Sequence, residues 1–152
     1  MTSSIKRRRS AVPQPVRLYG WLGVLPFAGC AAAAVAAPEE QAALACSLLL
    51  AYGALILSFL GGIRWGYAIA EGDPDARSLG EGVTPALVGW TAFFLPVPAG
   101  LSVLALGFAV ALASDRRAGL RFRLPAWYPA IRTPLTAAAV IALLVPVGIA
   151  TG

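Results

Sequence analysis

Apolar positions gather into four long runs, residues 18–37, 41–70, 83–113 and 135–151, with charged residues collected between them. The first run holds 20 residues without a charge. At ~1.5 Å per residue a helix of that length spans about 30 Å, the thickness of a bilayer's hydrocarbon core. Residues 42–63 form a second uninterrupted span. The third run is broken at Pro96-Val97-Pro98-Ala99-Gly100. Two prolines and a glycine so close together predict two short antiparallel helices, 83–97 and 99–113, joined by a tight turn. At roughly 22 Å each they are short, so a re-entrant hairpin competes with two full crossings. The last run predicts a final helix with a kink at Pro146. The pattern therefore predicts an all-α polytopic membrane bundle of five transmembrane helices, the third and fourth forming a short Pro-linked hairpin.

Composition supports this reading. Of 152 residues, 59% are hydrophobic and 12% charged, with a mean hydropathy of +0.76; soluble domains carry about 25% charged residues. The net charge of +5 does not indicate nucleic acid, because the basic residues lie in short segments between spans rather than on one face of a soluble domain. Such segments encode orientation. Five crossings with the N-terminus in the cytoplasm place all 12 Lys and Arg residues at the inner side and leave Glu39 and Glu40 outside. That gives a basic cytoplasmic tail (residues 1–16), a single bundle domain (residues 17–152) and a periplasmic C-terminus in a bacterial inner membrane. Lys6, Arg7, Arg8 and Arg9, the first span and Ala34-Val35-Ala36 imitate a cleavable signal peptide. The first span is read instead as a retained helix, since it stays apolar well past Cys30.

Candidate chemistry is sparse. The chain has no histidine, the commonest general base and metal ligand, and its seven acidic residues fall in predicted loops or at helix ends. Cys30 and Cys46 lack metal-site spacing and read as small packing residues. No metal, cofactor or catalytic residue is expected. The unusual choices concentrate in residues 52–66. Stepping by four gives Ala54, Ser58, Gly62 and Gly66, with Gly61 adjacent, a small-residue face that would let another helix approach closely. Arg64 points away from that face, with Glu71 seven residues on and Tyr67 nearby, a candidate anion-binding group. The competing reading has Arg64 snorkelling to the headgroups. Trp65, Arg121, Arg123, Trp127, Tyr128 and Arg132 suit an interfacial anchor, where aromatic rings and arginines meet lipid phosphate.

Ser58-Phe59-Leu60-Gly61-Gly62-Ile63-Arg64-Trp65-Gly66 and the later Leu124-Pro125-Ala126-Trp127-Tyr128, with Arg132 shortly after, resemble the membrane-protein family called domain of unknown function 3429. The similarity runs from Val16 onward. It implies a small polytopic bundle of bacterial or mitochondrial inner membranes and implies no activity. Histidine is common in that family where this chain has Arg64, so a role needing a titrating imidazole does not carry over.

The expected function is a non-enzymatic interaction or accessory protein, packing through its small-residue face against a second copy or other membrane subunits. The alternative is a small-solute transporter, or a lipid- or anion-binding membrane protein, using Arg64. Its expected partners include membrane lipids and exclude nucleic acid. An intramembrane enzyme is disfavoured, since the hydroxyls of Ser47, Ser58, Ser102 and Tyr52 have no base near them in sequence.

Overall fold

A computed structural model describes residues 11–72, 75–118 and 125–150. Lys6, Arg7, Arg8 and Arg9 of the tail, and Arg121 and Arg123 of the expected anchor, lie outside the described residues. The helices are α1 (Gln14–Leu22), α2 (Leu25–Ala36), α3 (Glu39–Ala70), α4 (Ala76–Ala92), α5 (Val97–Ala118) and α6 (Tyr128–Ala150). The protein is an all-helical membrane bundle. Four segments among the described residues are long and apolar enough to cross a membrane: α1 with α2, α3, α5 and α6. The remaining helix, α4, has 17 residues, so the expected count of five crossings is approximate.

Local chemistry explains the boundaries. The first span breaks at Gly23 and Val24 because Pro26 has no N–H to continue the ladder. The helix restarts at Leu25, with Pro26 in a first turn where that N–H is not needed. A neighbour stabilises the break: the Tyr52 hydroxyl donates to the Gly23 carbonyl at 2.9 Å. Glu39 and Glu40 occupy the first turn of α3, where carboxylates suit the positive end of the helix dipole. Helix reaches back into the segment between the second and third apolar runs. Asp75 caps α4, its Oδ1 accepting from the Ser78 N–H at 2.7 Å, so the helix begins at Ala76 and carries Glu81.

The expected break at 96–100 is also displaced. Phe93, Phe94 and Leu95 make the turn, bonding back to Trp90, Thr91 and Ala92. Pro98 then falls in the first turn of α5, which proline tolerates. This helix therefore reaches 22 residues, about 33 Å, and takes Asp115, Arg116 and Arg117 with it. Likewise α6 starts at Tyr128 rather than 135 and absorbs both Pro134 and Pro146.

Successive spans alternate in direction around α3, which touches α2, α4, α5 and α6. Phe27, Leu49, Leu57, Leu101, Leu104, Phe108 and Leu143 are fully buried. Phe27 sits edge-on to both Tyr52 and Phe108, at 4.9 Å and 5.9 Å between ring centroids.

Glycine sets the closest helix contact. A Cβ on Gly61 would run into the Gly82 carbonyl oxygen, and one on Gly89 would stand 3.1 Å from the Ala54 carbonyl oxygen. The α3–α4 seam thus steps by seven, from Ala54 to Gly61 on one helix and from Gly82 to Gly89 on the other. The stripe stepping by four does not form one face. Each step of four advances about 40° too far at 3.6 residues per turn, whereas a step of seven falls only ~20° short. Ala54 and Gly61 are buried, and Ser58 is half-buried, bonded to the Ala54 carbonyl at 2.9 Å. Gly62 and Gly66 face open space. Replacing Gly62 should therefore leave packing inside the chain undisturbed.

Candidate functional site

The alternating spans bring one charged side chain from each of four helices to the same end of the bundle. Arg64 of α3 donates through Nη2 to Glu81 Oε2 of α4 at 2.7 Å. Asp115 of α5 accepts from Arg132 Nε of α6 at 2.9 Å through Oδ2, and its Oδ1 lies 3.9 Å from Arg64 Nε. Arg132 also donates through Nη1 to Thr136 Oγ1, one turn along α6, at 2.8 Å. At the exposed rim, Arg77 Nε reaches Glu81 Oε1 at 3.2 Å.

Burial separates the members. Side-chain exposure is 8% for Arg132, 11% for Asp115 and 12% for Arg64, against 38% for Glu81 and 68% for Arg77. Charges so far from solvent persist only when paired. Asp115 is the hub, since it answers two guanidinium groups. The rim pair of Arg77 and Glu81 is a solvated i,i+4 contact worth about 0.3–0.5 kcal/mol. One donor group is left over: Arg132 Nη2 is buried without a hydrogen-bond partner. Tyr128 stands close to Asp115 and Tyr67 and within interaction range of the Arg132 guanidinium, but its hydroxyl does not meet hydrogen-bond geometry with Nη2. A buried N–H left unmade costs about 1–3 kcal/mol.

Two cavities flank this cluster. A groove of about 420 Å³ lies between α4 and α5, with Arg64, Glu81, Thr84 and Ser114 at the charged end and Val88, Val103, Leu106 and Val110 along its length. A second cavity of about 190 Å³ lies between the broken first span, α3 and α6; Arg132 is its charged member, among Phe27, Phe59, Phe108 and Leu135.

The expected site is partly rearranged. Arg64 belongs to the cluster, and Tyr67 is half-buried near it. Glu71 is exposed at the end of α3. Seven residues along a helix is about 10 Å, farther than an arginine reaches, whereas antiparallel α4 puts Glu81 directly alongside. Trp65 is 38% exposed, and the rings of Trp127 and Tyr128 lie 6.3 Å apart, tilted at 53°, where α6 begins. Arg132 of the expected anchor is instead buried inside the bundle, because α6 starts early enough to carry it onto the same inward face as Thr136 and Ala139.

Glu81, Asp115 and Thr136 were not expected as site residues. The signal available was their spacing, since Arg64 precedes Glu81, and Asp115 precedes Arg132, by 17 positions across a predicted loop. Among the described residues, no three His, Cys, Asp or Glu side chains gather as a metal site. Cys30 and Cys46 are free thiols, half-buried in α2 and α3.

The model of a family described as protein of unknown function (DUF3429) matches residues 12–147. Transmembrane protein 69 of Xenopus tropicalis is 34% identical over 143 residues, covering 87% of this chain and 53% of that protein. Transmembrane protein 69 of Mus musculus is 29% identical over 136 residues, covering 88% and 55%. The chain thus spans about half the length of the curated relatives it matches. No solved structure matches it. With the family's model covering nearly all of the helical bundle, the chain belongs to the DUF3429 family and is an integral membrane protein.

Proposed function

We propose that this protein acts by binding rather than by chemistry, and that the α4–α5 groove holds a membrane phospholipid. The observation that carries this reading is the groove itself: about 420 Å³, apolar along Val88, Val103, Leu106 and Val110 and charged at one end. That volume is in the range of small-molecule sites, and its polarity runs lengthwise, as a lipid's does. Arg64 would meet the phosphate. Glu81, 38% exposed, would meet an ammonium, so an ethanolamine headgroup complements the pair. Excess Lys and Arg at this end support its facing the cytoplasm of a bacterial cell, with the N-terminus on the same side.

Native mass spectrometry from mild detergent tests the reading. Wild type should retain phosphatidylethanolamine. Val110→Trp, at a position 56% exposed, should fill the groove and release the lipid without lowering the unfolding midpoint. Equal retention by this variant, or no retained lipid in wild type, would remove the proposal.

A second reading is an accessory role in which another membrane helix, of a partner subunit or a second copy, lies on α3. It is favoured by Gly62 and Gly66 on α3, where a Cβ added to either would meet nothing within 4 Å, on a surface where close backbone approach drives association. Gly62→Leu should keep the fold and abolish crosslinking to the partner in native membranes; an unchanged crosslink pattern would dismiss this reading.

A further inference from the structure

We infer that the smaller cavity is a second, separate site, and that it takes the ring of a membrane-soluble quinone with Arg132 as the hydrogen-bond donor to a ring carbonyl. Three observations lead there. The first is the unused donor. Arg132 is 7% exposed; its Nε and Nη1 are committed to Asp115 and Thr136, and Nη2 has no partner. A buried guanidinium with one donor group unused can take an acceptor from a ligand, with the Tyr128 hydroxyl the one competing acceptor beside it.

The second is charge. Asp115 already answers the Arg132 guanidinium at 2.9 Å. The incoming group therefore need not be an anion, and a neutral carbonyl oxygen completes the donor set without adding a buried charge. The third is shape and access. A cavity of about 150 Å³ lined by apolar side chains accepts a benzene ring, and this one offers about 190 Å³ among Phe27, Phe59, Phe108 and Leu135. Tyr19 and Phe59 line it while remaining 72% and 63% exposed. The opening is thus on the outer surface of the bundle, where a membrane protein meets lipid. The ligand arrives from the bilayer, ring first, and its tail stays there. An ester carbonyl of a phospholipid shares the acceptor chemistry but brings a phosphate for which this cavity holds no second cation.

The test uses the full-length protein in mild detergent and a photoreactive azido-benzoquinone as probe. Labelling should map to peptides containing Phe27, Phe59 or Leu135, and excess decylubiquinone should suppress it while excess phosphatidylcholine does not. Arg132→Lys keeps the charge opposite Asp115 and removes Nη2; apparent affinity should fall about tenfold, the loss of one hydrogen bond. Leu135→Phe, which crowds the cavity from its wall, should also suppress labelling. Both variants are first checked for a wild-type unfolding transition. Equal suppression by phosphatidylcholine would overturn the quinone reading in favour of an ester lipid. Unchanged affinity in a folded Arg132→Lys variant would overturn the donor role and leave Tyr128 as the partner of Nη2. Absence of labelling in wild type would overturn the site. None of these outcomes depends on lipid retention in the α4–α5 groove.

Discussion

Gly61→Val should destabilise the protein markedly, while the same change one position on, at Gly62, should cost almost nothing. The two glycines are neighbours in sequence and share a helix. They differ in what stands opposite. At Gly61 the added Cβ collides with a backbone carbonyl of α4, and Pro85 carbons lie 3.3 Å away. Backbone cannot swing aside as a flexible side chain can, so α3 and α4 must separate and the seam at Ala54 and Gly89 opens with them. Overpacking costs about 1–3 kcal/mol in an ordinary core and more where backbone is the obstacle. A drop of roughly 5–10 °C in the unfolding midpoint follows for a chain of this size. Circular dichroism of purified variants in mild detergent gives the comparison, and Gly82→Val should behave like Gly61→Val. A Gly61→Val protein that melts with wild type would mean the seam is misplaced.

Asp115→Asn should be the other severe change. The carboxylate is 11% exposed and answers two arginines. Neutralising it leaves Arg132 charged in a site of 8% exposure. Breaking a buried pair from one side costs about 3–5 kcal/mol, most of it the penalty on the stranded partner. That mechanism makes a sharper claim than destabilisation alone. Combining Asp115→Leu with Arg132→Met removes both charges, and the double variant should be markedly more stable than Asp115→Asn. Thermal unfolding of the set decides the matter. If the double variant is no better than the single one, the cluster contributes through shape and hydrogen bonding rather than through charge pairing.

Much of the bundle was legible because apolar length and proline are local signals. The four long runs, the hairpin in the third run and the family resemblance all follow from neighbouring residues. What escaped depends on two helices at once. Which glycine of Gly61 and Gly62 is buried cannot be read from α3 alone, because a step of four and a step of seven fit the same small residues until α4 is set beside them. Glu81 and Asp115 escaped for a related reason. A charge beside Gly and Pro looks like loop until a cap such as Asp75 extends the helix to include it. Arg132, counted with the headgroup arginines, became a buried residue once Tyr128 proved to be the first residue of α6. For Asp115 and Arg132 a boundary moved by a turn or two and carried a charge from the rim to the interior.

The distances within the charged cluster also bear on how the protein is made. The two tight contacts, 2.7 Å for Arg64 with Glu81 and 2.9 Å for Arg132 with Asp115, each join a helix to the next one in sequence. The contact between the two pairs, Arg64 with Asp115, is looser at 3.9 Å. The first hairpin can therefore cancel its own buried charge before the second is made, and the second can cancel its own without drawing on the first. Membrane insertion can proceed in two electrically self-contained steps, with the junction between hairpins closed last.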